Sequence, residues 1–342
     1  MDLDLDPTIE NPDTGPTAAE IPPETPPRRI GIEAEALDRE QTTLERMRLP
    51  RAALRRFALL GGLYVATVAG ISLLLDGGTD SLPFVPIVVL VAFVFETTDS
   101  AAGMGFGTGI APLLFVLGYG PLEIVPVLLL SETLTGIVAG AVHHNVDNVT
   151  FSVRPLNDET KLLALLVGVG SVAVLGSVIL TYFTLGLSDV VIESYVSILV
   201  VTMGVVGILR AKLRTRIEYR PHRLFAFALL AGVNKGIGGG GYGPVVTLGQ
   251  ILSGVYEKSA VAITTLAEGI VSIVGAFAFF LLVFQGVPVD LHLLPSILAG
   301  GFFAAIIAPY GVRVVPNAVW RYLIPIYAFA IGVLGLALGL EV

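Results

Sequence analysis

The sequence predicts an all-α polytopic membrane protein, and three observations carry that prediction. The chain is 54% apolar and only 14% charged, with a mean hydropathy of +0.83, whereas soluble domains carry roughly a quarter charged residues. Apolar runs recur from residue 57 to residue 340, most of them about twenty residues long, enough to cross ~30 Å of hydrocarbon. Two of the runs are interrupted by closely spaced glycines with a proline behind them: Gly103, Gly105, Gly107 and Gly109 before Pro112, and Gly238, Gly239, Gly240 and Gly241 before Pro244. Glycine weakens a helix and proline suits a first helical turn. Each interruption therefore reads as half-helix, loop, half-helix. The predicted architecture is an inverted repeat, each half a Gly-interrupted helical hairpin plus three spans, with one extra N-terminal span.

Taken in order, residues 1–45 are rich in Pro, Asp, Glu and Thr and hold twelve of the 28 acidic residues. Such a stretch buries too little apolar surface to offset its ordering entropy and is expected to be a disordered acidic tail. It has neither the basic nor the apolar region of a signal peptide. A basic arm with Arg46, Arg48, Arg51, Arg55 and Arg56 leads into the first span, Phe57 to Leu75, and together they make a segment 46–82. The first membrane repeat, 83–210, holds the interrupted run Phe84 to Gly118 and spans Leu122–Val142, Leu162–Phe183 and Val190–Leu209. The second, 211–342, holds the interrupted run Leu224 to Leu252 and spans Ala260–Phe284, Leu291–Ala308 and Tyr322–Leu340. The halves align at residue level when a four-residue shift is allowed between prolines and glutamates: Ser131-Glu132-Thr133 follows the first break as Ala267-Glu268-Gly269 follows the second.

Charge decides the topology. The 210–223 loop carries six basic residues, Arg210, Lys212, Arg214, Arg216, Arg220 and Arg223, against Glu218 alone, and an excess of Lys and Arg in short loops marks the cytoplasm. A single crossing by each interrupted run would put this loop and the N-terminal arm on opposite sides. Runs that go in and return put both inside, together with the 143–161 loop and Arg313, and leave the loops at 76–82, 184–189 and 285–290, free of Lys and Arg, outside. The halves are then inverted, one hairpin entering from each side, with the N-terminus cytoplasmic and the chain multi-pass in the cell (plasma) membrane.

Irregular backbone at membrane depth persists where protein or a watery cavity satisfies it. The half-helices expected to resume near Ile110 and Pro244 would point amide-rich, partly positive N-termini inward, which favours an anion. Lys235 lies deep in an apolar segment, where a charge is costly and functional by default; it either binds an anionic substrate or pairs with a carboxylate. Asn234 beside it could donate to oxyanion oxygens. Asp99, Glu132 and Glu268 are candidates for carrying protons or for bracing the loop backbone. His143 and His144 close a span and are expected to cap it at the interface. The composition offers no thiolate chemistry, because there is no cysteine, and little histidine for a metal centre. No metal, no cofactor, no nucleic-acid partner and no enzymatic activity are expected.

Gly-Met-Gly-Phe-Gly-Thr-Gly-Ile-Ala-Pro at 103–112, Leu-Ser-Glu at 130–132, His143-His144, Asn-Lys-Gly-Ile-Gly-Gly-Gly-Gly-Tyr-Gly-Pro at 234–244 and Leu-Ala-Glu-Gly at 266–269 resemble the sulfite exporter TauE/SafE family of membrane permeases over roughly residues 83–340. Phe106 and Thr108 depart from the plainer Gly-x-Gly-Gly-Gly pattern. The resemblance implies transport of sulfur-containing anions. The expectation is a secondary transporter of a small oxyanion, sulfite or an organosulfonate, working by alternating access in the lipid bilayer, with protons or another ion as coupling partner. The rival reading is a cation/proton exchanger that uses Asp99, Glu132 and Glu268.

Overall fold

A computed structural model describes residues 30–48, 51–75, 84–185, 188–213 and 220–339. The expected tail up to residue 29, the 76–82 loop and Arg214, Arg216 and Glu218 of the basic loop lie outside the described residues. Every named element within them is a helix. In chain order these are α1 (Ile32–Glu40), α2 (Thr43–Met47), α3 (Arg51–Leu75), α4 (Pro86–Ala102), α5 (Phe106–Val116), α6 (Pro121–Asn145), α7 (Asp158–Val178, prolonged by a π-helical turn Ile179–Leu185) and α8 (Asp189–Leu213). After these come α9 (Pro221–Gly238), α10 (Tyr242–Leu252), α11 (Glu257–Val283), α12 (Leu294–Val314) and α13 (Asn317–Gly339). Five helices, α6, α7 with its π turn, α11, α12 and α13, are long and apolar enough to cross a membrane. Side chains such as Val172, Phe183, Phe277, Phe280 and Ile326 point outward, an apolar surface suited to lipid rather than water.

The bundle has two ends. At one, the Val85 N–H donates to Ser296 Oγ over 3.0 Å, and the Tyr119 and His292 rings sit 5.5 Å apart. The Asp290 N–H donates to Leu122 O over 3.4 Å; Pro126, one turn on, has no N–H to offer that carbonyl. The start of α4, the end of α5 and the starts of α6 and α12 therefore lie together. At the other end the Arg220 N–H donates to Ser253 O over 3.3 Å, so α9 begins where α10 finishes. The end of α6 and the end of α12 also meet here, through Arg313 Nη1 donating to Val146 O over 2.8 Å.

Neighbours recur in a fixed pattern. α4 packs along α12 as α9 packs along α7; α6 packs on α12 as α11 does on α7; α5 lies beside α13 as α10 lies beside α8. α6 crosses α11, and α8 crosses α13. The pattern is unchanged when α4–α8 are exchanged for α9–α13. At the central crossing Gly136 meets Gly269 so closely that a Cβ on Gly136 would stand 2.7 Å from the Gly269 Cα.

Three expectations need correction. The tail expected to be disordered to residue 45 is helical from Ile32 onward. Thr42 and Glu45 form a capping box, each accepting from the other's backbone N–H, and Asp38 pairs with Arg46 and with Lys258, at 2.6 Å for Lys258. The composition is that of a tail, but one of its acids, Asp38, finds a base more than two hundred residues away. Burial works to raise the Asp38 carboxyl, yet the hydrogen bond and charge of Lys258, with help from Tyr256 and Arg46, hold it below the usual carboxylate range. The helix after the first break resumes at Phe106 rather than near Ile110, so Gly107, Gly109 and Pro112 are helical. The reason is Asp99, whose Oδ1 accepts the Phe106 N–H over 3.2 Å and satisfies an amide that would otherwise be free. Finally, the prolines are not equivalent landmarks. One interval separates Gly103 from Gly239, Gly105 from Gly241 and Glu132 from Glu268, with no shift between them.

Candidate functional site

Both breaks are built in the same way. Gly103 ends α4 and Gly239 ends α9, each in the left-handed conformation at φ 68° and 72°, and each donates its N–H four residues back, to Asp99 O and Lys235 O. Gly105 and Gly241, at φ 126° and 81°, then lead into α5 and α10. Side-chain-bearing residues rarely adopt such angles, so glycine is needed at these four positions for the chain to turn back on itself within a few residues. Gly238 closes α9 as a helical residue.

The breaks touch each other, backbone against backbone. A Cβ on Gly107 would lie 2.5 Å from Gly239 O, and one on Gly240 would lie 2.5 Å from the Gly107 carbonyl carbon. The Gly241 N–H donates to Thr108 Oγ1 over 2.7 Å, and Thr247 Oγ1 donates to Gly103 O over 2.7 Å. Thr108, an interloper in the glycine pattern, thus joins the first break to the second, as Thr247 of α10 joins the second half to the first break.

Lys235 is completely buried beside this junction. Its ammonium donates to Glu132 Oε2 and to Glu268 Oε1, the latter over 2.9 Å, and stands 5.8 Å from the centre of the Tyr242 ring. Ser272 Oγ donates to Glu132 Oε2 over 3.3 Å and to Glu268 O over 2.7 Å. The structure thus brings Asn234, Lys235, Glu132 and Glu268 to the two breaks, with Asp99 capping α5. Several polar atoms remain without a partner among the described residues: Glu132 Oε1, Glu268 Oε2 and both side-chain atoms of Asn234. These residues are 3%, 5% and 0% exposed. Glu132 Oε1 faces the first break, 3.1 Å from where a Gly107 Cβ would stand. Buried polar atoms left unmatched are costly, and two of these belong to the glutamates that hold Lys235.

Sequence reasoning missed Glu96. Its side chain is buried one turn before Ser100, whose Oγ donates to Glu96 Oε1 over 2.7 Å, while Thr135 Oγ1 donates to Oε2 over 3.2 Å. An acid directly after the apolar run Phe84–Phe95 and within the same helix was a sufficient signal, since an ionisable residue at membrane depth is functional by default. His143 differs from its expected interfacial cap: it is fully buried. Its Nε2 lies 2.9 Å from Ser100 O, a carbonyl that can only accept, so Nε2 carries the proton and Nδ1 accepts from Asn148 Nδ2 over 2.9 Å. Both nitrogens are engaged, and the ring ties the end of α6 to α4. His144 is exposed and accepts from the Phe151 N–H over 3.3 Å. Among the described residues, Glu123, Asp290 and His292 bring ligand atoms within 4.8 Å of one another, a group that could take a metal ion. It lies at the start of α6, where Glu123 also caps the helix by accepting the Gly120 N–H over 2.5 Å.

The family description "Sulfite exporter TauE/SafE" matches residues 88–338, which hold both breaks, both glutamates and Lys235. The chain belongs to the sulfite exporter TauE/SafE family. It is therefore a multi-pass membrane protein of a transporter family, one of permeases for sulfur anions rather than of enzymes. No curated protein and no solved structure matches the chain. The match begins after α1–α3, so the N-terminal helices that close the Arg313 end are not covered by the family description.

Proposed function

We propose that the protein carries a small sulfur oxyanion, sulfite or an organosulfonate, across the plasma membrane by alternating access, with the two breaks as a shared cradle and Lys235 as the cation that holds the anion. The observation that carries this reading is the fully buried Lys235 beside the junction of two glycine breaks, held by two glutamates that each keep one oxygen without a partner among the described residues. A cation at membrane depth needs a reason, because placing one there costs about 3 kcal/mol on insertion scales. The N–H groups of Gly239, Gly241 and Phe106 are taken by Lys235 O, Thr108 Oγ1 and Asp99 Oδ1. Glycine leaves those of Gly105, Gly107 and Gly240 for close approach by an anion, and Asn234 adds an amide next in the chain to the lysine. Glu132 and Glu268 occupy Lys235 and brace the cradle until an anion displaces one of them.

The domain reading that accompanies this is two membrane repeats, 83–210 and 211–342, inverted relative to each other. Its support is the exchange pattern of helix neighbours and the opposite ends at which α4/α5 and α9/α10 begin and finish. Inverted repeats with discontinuous helices at their interface are a common basis of alternating access. The basic residues Arg220 and Arg313 lie at the end that also holds α1 and α2, which favours a cytoplasmic N-terminus. A second reading, cation/proton exchange through Asp99, Glu132 and Glu268, draws on the excess of buried acid over base.

Uptake of radiolabelled sulfite into proteoliposomes tests the proposal. The expected result is saturable uptake that methanesulfonate competes and chloride does not. Sodium- or proton-driven cation exchange with no saturable sulfite uptake would replace it with the second reading.

A further inference from the structure

The two breaks occupy equivalent places but carry opposite charge: the interval that relates Gly103 to Gly239 also relates Asp99 to Lys235. We infer that the first break is a proton seat, formed by Glu96, Asp99 and Glu132, and that each anion taken by Lys235 at the second break is accompanied by a proton bound there. The inference deepens the proposed transport of a sulfur oxyanion and rests on it.

Four carboxyl groups, those of Glu96, Asp99, Glu132 and Glu268, are buried within reach of one another's charge, and one ammonium, Lys235, is held by two of them. Lysine balances one carboxylate, and further ionised carboxylates in a low-dielectric interior are expensive. Charge balance therefore calls for protons on the others. Each of the two pairing acids spends only one oxygen on Lys235 and leaves the second without a partner, and the free Glu132 Oε1 is turned toward Gly107 in the first break. Glu132 both holds Lys235 and turns its free oxygen to the first break. Glu96 lies on the other side of it, held by Thr135 one turn along α6 and by Ser100.

An anion reaching Lys235 must displace a carboxylate. The displaced group keeps the interior neutral only by gaining a proton, which makes it an acid able to donate to the anion or to a neighbouring carboxylate. Anion and proton then enter as a pair from one side and leave as a pair on the other. No covalent bond is made, and the proton comes from and returns to water.

The groups facing this seat are few. α4 brings Glu96 and Asp99, α6 brings Glu132 and the buried His143 on Ser100 O, α9 brings Lys235, α11 brings Glu268, α10 brings Tyr242 and α13 brings Tyr327, which shares a 2.7 Å hydrogen bond with Thr98. α12, packed along α4, carries Tyr310 and Arg313 only at its far end, where they bind Met47 O and Asp147.

Sulfite counterflow and sulfite accumulation driven by an imposed pH gradient, measured in the same proteoliposomes, test the inference. Counterflow needs only anion binding and reorientation, whereas accumulation needs the proton. The ratio of gradient-driven accumulation to counterflow is expected to fall at least tenfold in Glu96→Gln. On the unmutated protein, calorimetry with sulfite in alkaline buffers of different ionisation heat, where free sulfite is a dianion, is expected to show about two protons taken up per anion bound, one on the displaced carboxylate and one on the sulfite. Wild-type counterflow with no proton uptake, accumulation that follows sodium instead of pH, or a Glu96→Gln ratio equal to wild type would each overturn the proton seat and leave the anion proposal standing. Absence of both counterflow and binding heat in wild type would overturn the anion proposal and this inference together.

Discussion

At the first break α4 ends on a left-handed glycine with an aspartate four residues before it; at the second α9 ends on a left-handed glycine with a lysine in the same place. The backbone is repeated and the charge is reversed. Asp99 turns to the amide of its own returning helix, Phe106, while Lys235 turns away to two glutamates on α6 and α11. The difference teaches that the fold supplies the same turn twice and that one side chain per turn decides what each can hold. An acid at the first break completes the helix it belongs to. A base at the second is bound to two acids on other helices.

The largest expected effect comes from wedging the breaks apart. Gly240→Val would drive a side chain into Gly107 and Thr108, whose backbone atoms already stand 2.5 and 2.6 Å from a bare Cβ. Neither neighbour is a flexible chain end, so the variant is expected to lose its folded yield altogether in detergent, read by size-exclusion chromatography. Gly62→Ala, with nothing within 4 Å of the new Cβ, is the control and should elute as wild type. Next in size is Lys235→Met. It leaves Glu132 and Glu268 without their cation, and removing one partner of a buried pair costs about 3–5 kcal/mol. The thermal midpoint should fall, and adding Glu132→Gln should recover most of the loss.

Smaller effects sharpen the contrast. Asp99→Ala removes a cap and should cost about 1 kcal/mol, whereas Thr108→Val strands the buried Gly241 amide and should cost roughly 1–3 kcal/mol. Thermal unfolding of both would rank them; a larger cost at Asp99 would mean that it does more than cap α5. The smallest effect belongs to the N-terminal helices. Asp38 has its carboxyl held low in the folded state, so its contribution is complete above the ordinary carboxylate value of about 3.9 and fades as the pH falls through its lower folded value. Protease cleavage of residues 30–48 should therefore rise only in acid, and Asp38→Asn should remove that dependence.

Much of the fold was legible because it rests on local signals. Hydropathy marks the long helices, and paired glycines mark the two turns, since few other residues tolerate the angles at Gly103, Gly105, Gly239 and Gly241. What stayed hidden depends on partners distant in sequence. The early start of α5 is set by Asp99, seven residues back, and a Pro112 that resembles a helix start is in fact mid-helix. The ordering of residues 30–45 comes from Lys258, far along the chain. At the site, Lys235 and the two glutamates stood out as charges in apolar runs, but their mutual contact did not. Glu96 was open to the same reading as a charge in an apolar helix, but its contact with Thr135 on α6 was not.

The central claim is that Lys235 is the seat of the anion and not merely a tie between α6, α9 and α11. Sulfite counterflow by the Lys235→Met/Glu132→Gln variant in proteoliposomes tests it most directly, because the double change restores charge balance and so separates folding from function. The account predicts a variant with a thermal midpoint near wild type and counterflow at least a hundredfold lower. A stable variant that still exchanges sulfite at the wild-type rate would contradict it.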